Sequence, residues 1–237
     1  MVSLSDLQTA ILQRCDIPAT SNYVTSGELT SYINNSAAEL YDALVTRYED
    51  YAVIGPIQFT VTNVPDSGDA YTLPADFYKL RGVDRQAFSA GGYWDTVRPY
   101  NFLERNFYNT TTSLVAAPVQ RFQTWYRIIG QELYLLPWTT VAGTYRFWYT
   151  PFLPPLVNAG DTLPAYLSGP AWHEYIITDC IIKIYTKQED DPSPFMAQKE
   201  ALLKRIYDVA VNRDEGDTDR VQDVHKLYGW NGSWRQG

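Results

Sequence analysis

Residues 25–50, TSGELTSYINNSAAELYDALVTRYED, carry the reading that decides the fold. Leu29, Tyr32, Ile33, Ala37, Leu40, Tyr41, Leu44, Val45 and Tyr48 recur at three- and four-residue steps, so they line one side of a helix that must lie on a partner. Asn34, Asn35, Glu39, Asp42 and Arg47 fall mostly between them. Thr25 and Glu28 form the T-x-x-E pattern of a capping box, which places the helix start. Upstream, residues 3–15 read as a shorter amphipathic helix through Leu4, Leu7, Ile11 and Leu12, with Ser5 and Gln8 as its capping pair.

After Asp50 the period shortens to two. Ile57, Phe59 and Val61 alternate with Gln58, Thr60 and Thr62, the pattern of a strand with one wet face. Pro65–Gly68 form a turn, Tyr71–Leu73 reads as extended, and Pro74 opens a corner. Lys79–Gln86, Tyr93–Val97, Gln120–Ile129, Glu132–Leu136 and Thr144–Tyr149 are the further strands, with a hairpin turn at Gly130–Gln131 and a short helix over 100–109. Together, residues 51–150 read as an antiparallel β-domain.

A loop rich in Pro and Gly runs from Pro151 to Pro170. Helical spacing returns through Trp172, Tyr175, Ile176, Cys180 and Ile184. A last helix is expected to be capped by Ser193 with Pro194 at its first position; Leu202, Leu203, Ile206, Tyr207 and Ala210 are its buried face, and Lys199, Glu200, Lys204 and Arg205 its wet one. Helix pairs at both ends of the chain each leave an apolar stripe. The fold class is therefore α+β: a four-helix bundle made from the N- and C-terminal pairs, with the β-domain inserted. The domains read as 1–50 with 166–213 for the bundle, 51–165 for the β-rich insertion and 214–237 for an extended C-terminal arm. That arm begins with the polar spacer DEGDTDR and then carries Val221, Val224, Leu227, Tyr228, Trp230 and Trp234. It reads as a loose link leading to an adhesive end, or as a tail folded back on its own domain.

Composition narrows the function. Hydrophobic residues make up 45% of the 237 and aromatics 15%, which fits a globular chain with a Tyr-rich β-domain or an aromatic interface. The net charge of −8 argues against gripping nucleic acid, since affinity for phosphates comes from Lys and Arg. Cys15 and Cys180 are far apart and outside any C-x-x-C, so they read as buried thiols rather than a disulfide or zinc site. The opening MVSLSDLQTAILQRCD does not read as a signal peptide, and no run approaches a membrane span. His173 and His225 are the only histidines, and neither lies in an H-E-x-x-H. Nor does the chain hold a G-x-S-x-G elbow, a phosphate loop or a dinucleotide turn. His173–Glu174 near a helix start reads as structural. No catalytic residue, cofactor or metal is called, and the chain is read as not an enzyme.

Five segments together resemble a known family. They are YVTSGELTSYINNSAAELYDALV at 23–45, YTLPADFYKLRGVD at 71–84, VRPYNFLERN at 97–106, YRIIGQELYLLP at 126–137 and MAQKEALLKRIYDVAVNRDEGDTDRVQDV at 196–224. In order and content they resemble the adaptor, connector or head-completion proteins of tailed bacteriophages. The resemblance implies a structural virion protein in the neck, made in the host cytoplasm, forming a homo-oligomeric ring of about twelve copies under the portal. It implies partners in the portal protein and in tail nozzle or fibre proteins, with DNA passing through the channel without specific binding and no membrane contact. The arm then gains a role as the portal-docking element, through Val221, Val224, Leu227, Tyr228, Trp230 and Trp234. A loop with Phe88, Tyr93 and Trp94 would face the tail. Two other readings stay open: a carbohydrate-binding or fibre-attachment component of a tail, and a stand-alone α+β binding module.

Overall fold

The computed structural model describes residues 2–18, 23–62, 70–87, 92–108, 124–137 and 141–211. The chain is α+β. Its described elements, in order, are α1 (Leu4–Arg14), α2 (Ser26–Arg47), β1 (Ile54–Val61), β2 (Ala70–Thr72), β3 (Phe77–Gln86), β4 (Trp94–Pro99), a 3-10 turn (Phe102–Glu104) running into α3 (Arg105–Tyr108), β5 (Trp125–Ile129), β6 (Glu132–Leu136), β7 (Gly143–Pro151), α4 (Pro170–Gln188) and α5 (Ser193–Val211).

The long helix forms as its spacing dictates. Leu29, Ile33, Ala37, Leu40, Tyr41, Leu44 and Val45 are buried along α2, and the Thr25 hydroxyl accepts from the Glu28 amide. Only half the expected capping box closes. The Glu28 carboxylate turns away to Lys187 on α4 (2.8 Å) and to the Tyr32 hydroxyl (2.8 Å), because a cation from a neighbouring helix competes for it. The α1 cap lies two residues earlier than expected: Ser3 and Asp6 close the box, while Gln8 reaches across to Ser26 and Thr30 of α2. The cap of α5 also differs. The Ser193 amide donates to Asp191 (3.0 Å), so the aspartate, not Ser193, supplies the capping oxygen.

α4 is the helix the others share. It packs against α1, α2 and α5, and its Ile176, Cys180, Ile181 and Ile184 lie in one apolar cluster with Leu7, Ile11, Ile33, Leu40 and Ile206. The loop after β7 is not a mere connector, for Leu156, Leu163 and Leu167 are buried in that same cluster. Asn34 holds the loop through both backbone groups of Leu156 (2.9 and 2.8 Å).

The seven described strands form one sheet in the order β1-β7-β3-β4-β5-β6-β2. The expected all-antiparallel domain is corrected at one join: β4 and β5 run parallel through Arg98↔Trp125 and Pro99↔Tyr126. The connection between them is long enough for the chain to re-enter in the same direction, which a short hairpin cannot do. The Gly130 turn closes the β5–β6 hairpin as expected, with Gly130 at φ 64. Tyr145, Phe147 and Tyr149 of β7 point inward and meet Phe59, Val83, Leu133 and Leu135. Phe59 of β1 also stacks on Tyr71 of β2 at 4.2 Å, although these strands stand at opposite ends of the sheet order. The sheet therefore rolls until its edges meet over an aromatic core.

Polar contacts seat the sheet on α2 and on the turn that follows it. Tyr41 donates to the Pro151 carbonyl (2.6 Å), Tyr78 to Asp42, Lys79 to Thr46 (3.2 Å), and Arg81 to Glu49 and Asp50 (2.9 Å each).

Candidate functional site

His173 is half-buried, burial lowers its basicity, and its Nε2 meets no partner among the described residues. Its neighbour Glu174 is held by both guanidinium nitrogens of Arg14 (2.5 and 2.7 Å), a clamp between α4 and α1. Burial pushes the Cys15 thiol up to about 11 and the Cys180 thiol up to about 12, so neither is a ready nucleophile. Among the described residues no group of three or more His, Cys, Asp or Glu is placed to hold a metal ion, and no helix is long and apolar enough to cross a membrane.

One buried charge ties three helices together. Asp179 of α4 accepts from Lys183 (2.7 Å), from Lys199 of α5 (2.5 Å) and from Ser36 of α2 (2.6 Å). Burial raises the carboxyl's pKa, but these three hydrogen bonds outweigh it and hold the group below the usual carboxylate value. Lys199 therefore does not sit on a wet face, as its spacing implies: it turns inward because an unpaired Asp179 would be costly there.

The expected tail-facing loop is divided by the structure. Tyr93 is 71% exposed, Phe88 lies outside the described residues, and Trp94 is engaged by its own sheet. Arg146 lies between the Trp94 ring (4.2 Å) and the Trp148 ring (4.7 Å), with its Nε and Nη2 donating to Asp84 (3.1 and 3.0 Å). Register explains the grouping: Asp84 faces both Arg146 and Thr96, and Gln86 faces Trp94, so all lie on the outer face of β3, β4 and β7. Arg146→Ala is expected to lower stability by about 1–2 kcal/mol through the lost ring and carboxylate contacts, measurable by urea unfolding.

A surface that periodicity did not single out stands after β4. Asn101 caps the 3-10 turn by accepting from the Leu103 amide (3.2 Å). Buried Tyr100 and the Tyr108–Trp125 ring contact (5.0 Å) anchor the segment. Its remaining apolar side chains face solvent: Leu103 is 85% exposed, Phe107 74%, and Phe102 lies beneath Arg105 and Arg127. Sequence reading places a short helix over 100–109 without saying which of its sides is covered. Only the tertiary structure shows the anchors on the other side.

A groove runs along the outer side of α2. A cleft of about 520 Å³ is lined by Asn35, Ala38, Tyr41, Tyr78, Phe152 and Lys183 among others, and adjoins one of about 480 Å³ bordered by Thr46, Arg47 and Tyr207. The two share Glu39 and Asp42. The expected arm residues Val221, Val224, Leu227, Tyr228, Trp230 and Trp234, and His225, lie outside the described residues.

No curated protein matches the chain. The family model described as SU10 adaptor protein matches residues 2–225, which takes in the helices, the sheet and the start of the C-terminal segment. The chain accordingly belongs to the SU10 adaptor protein family, a family of bacteriophage head-to-tail adaptors.

Proposed function

We propose that the chain is a structural subunit of the virion neck, and that about twelve copies form a ring beneath the portal, extend its DNA channel and seat the tail. The family match over nearly the whole chain supports the adaptor role. The observation in the fold that carries the assembly reading is the exposed Leu103 and Phe107 on an anchored turn, since apolar side chains held out on rigid supports act as anchors for a partner's pocket. In this reading the bundle comprises 1–50 with 166–213 and the inserted β-rich domain 51–165, while the arm 214–237 docks on the portal through its aromatic end. The β-domain, with Tyr93 at its surface, faces the tail. A ring of chains each carrying −8 lets DNA pass because like charges repel.

Electron microscopy of the chain mixed with the portal encoded beside it tests this. A ring seated on the portal is the expected image. Deleting 217–237 is expected to abolish docking and leave the circular dichroism unchanged. Undiminished docking by the shortened chain would remove the arm's role.

A further inference from the structure

The α2 groove ends where the described chain ends. The Tyr48 hydroxyl donates to the Tyr207 carbonyl (3.0 Å), and Arg47 lies over the Tyr207 ring (4.6 Å), so the last turns of α5 sit beside the last turn of α2. The chain leaves α5 at Val211, one turn past Tyr207, which itself borders the nearer cleft. From there the groove runs back along α2 to Asn35. At 1.5 Å per helical residue, Thr46 to Asn35 is about 17 Å.

The segment that follows is long enough to reach the groove. Residues 212–220, NRDEGDTDR, are polar, and nine residues of chain extend to at most about 30 Å, so every part of the groove lies within their reach. Beyond it come Leu227, Tyr228, Trp230 and Trp234, with Lys226 and Arg235 flanking them. The groove offers matching chemistry. Tyr41, Tyr78 and the half-exposed Phe152 give aromatic walls. Asp42 takes the Tyr78 hydroxyl and meets no cation among the described residues, while Glu39 reaches Lys183 and Lys199 (3.3 and 3.5 Å).

We infer that the groove between α2 and the Tyr78–Phe152 wall is a docking cleft for the aromatic, cationic segment 221–235 of the same chain. A smaller cleft of about 320 Å³ also lies near the end of α5, lined by Tyr51, Ala165, Tyr166, Gly169, Trp172, Val209 and Ala210. Its lining holds no carboxylate to meet Lys226 or Arg235. The inference concerns the unassembled subunit and does not depend on a portal. In the neck the arm would leave this cleft for its other partner, so the cleft would keep Trp230 and Trp234 covered until assembly.

The test uses the full chain at low concentration, with p-benzoyl-phenylalanine in place of Trp230. Irradiation is expected to give a product of monomer mass, linked by peptide mapping to residues 35–46 of α2, Tyr78 or Phe152. Combining Phe152→Ser with Ala38→Lys, both exposed side chains of the cleft, is expected to lower that yield about tenfold with circular dichroism unchanged. Absence of a product, links to Tyr51 or Trp172, a product of dimer mass, or a yield indifferent to the substitutions would each overturn the inference. Docking of the same groove variants on the portal is read separately and tests the arm's other role.

Discussion

Asp179→Ala is expected to cost about 3 kcal/mol, the low end of the range for breaking a buried ion pair, and so to lower Tm by roughly 6–12 °C. The Asp179 side chain is 4% exposed and is the common acceptor for α2, α4 and α5. Removing it leaves Lys183 and Lys199 with only the half-exposed Glu39 as a shared carboxylate (3.3 and 3.5 Å) and the Ser36 hydroxyl with only the Tyr32 carbonyl as oxygen acceptor. The low end applies because both ammonium groups are about a quarter exposed and can turn to water. The same centre predicts acid lability. Asp179 has a lowered pKa, so its contribution is complete above the unfolded aspartate value near 4 and fades as pH falls through the lower folded value. Lys199 has a raised pKa despite burial, because its hydrogen bond to Asp179 outweighs desolvation; its contribution is complete at neutral pH and fades only in strong alkali. Asp179→Asn is expected to flatten the acid limb of a Tm-against-pH curve. An unchanged limb would show that the centre does not govern acid unfolding.

Leu103→Glu combined with Phe107→Glu is expected to change stability by no more than about 1 kcal/mol, since both side chains are largely exposed. Ring assembly on the portal should fall by at least about thirtyfold, the loss associated with removing an interfacial anchor and placing a charge in its pocket. Mass photometry of the chain with and without the portal gives the readout. Tyr108 and Tyr100 must stay untouched in this experiment, because they hold the turn to Trp125 and the sheet. Rings that form as before would show that this surface serves no contact in the neck.

Much of the fold was legible because local rules act strongly at particular places. The three- and four-residue recurrence from Leu29 to Val45 has one structural solution, and α2 adopts it. Gly130 between two apolar strands similarly leaves little besides a tight hairpin. The caps were less legible: Glu28, Asp6 and Asp191 are acids within a residue or three of a helix start, and which one closes a cap depends on competing cations elsewhere. The parallel β4–β5 join was not legible at all, since alternation reports which face a residue takes and not which way its neighbour runs.

The site divides the same way. Tyr93 and Trp94 are consecutive and similar in kind, yet one stands in water and the other covers Arg146. Leu103 and Phe107 carry the spacing of a buried face and are the most exposed apolar pair of their segment. Sequence alone determined the element types, the two helical ends around a strand-rich middle, the acidic balance and the family. Tertiary structure alone decided that Lys199 turns inward, that the sheet rolls Phe59 onto Tyr71, and which apolar side chains remain uncovered. The physical reason is that periodicity encodes a residue's direction relative to its own backbone, whereas burial depends on what other segments bring to that side.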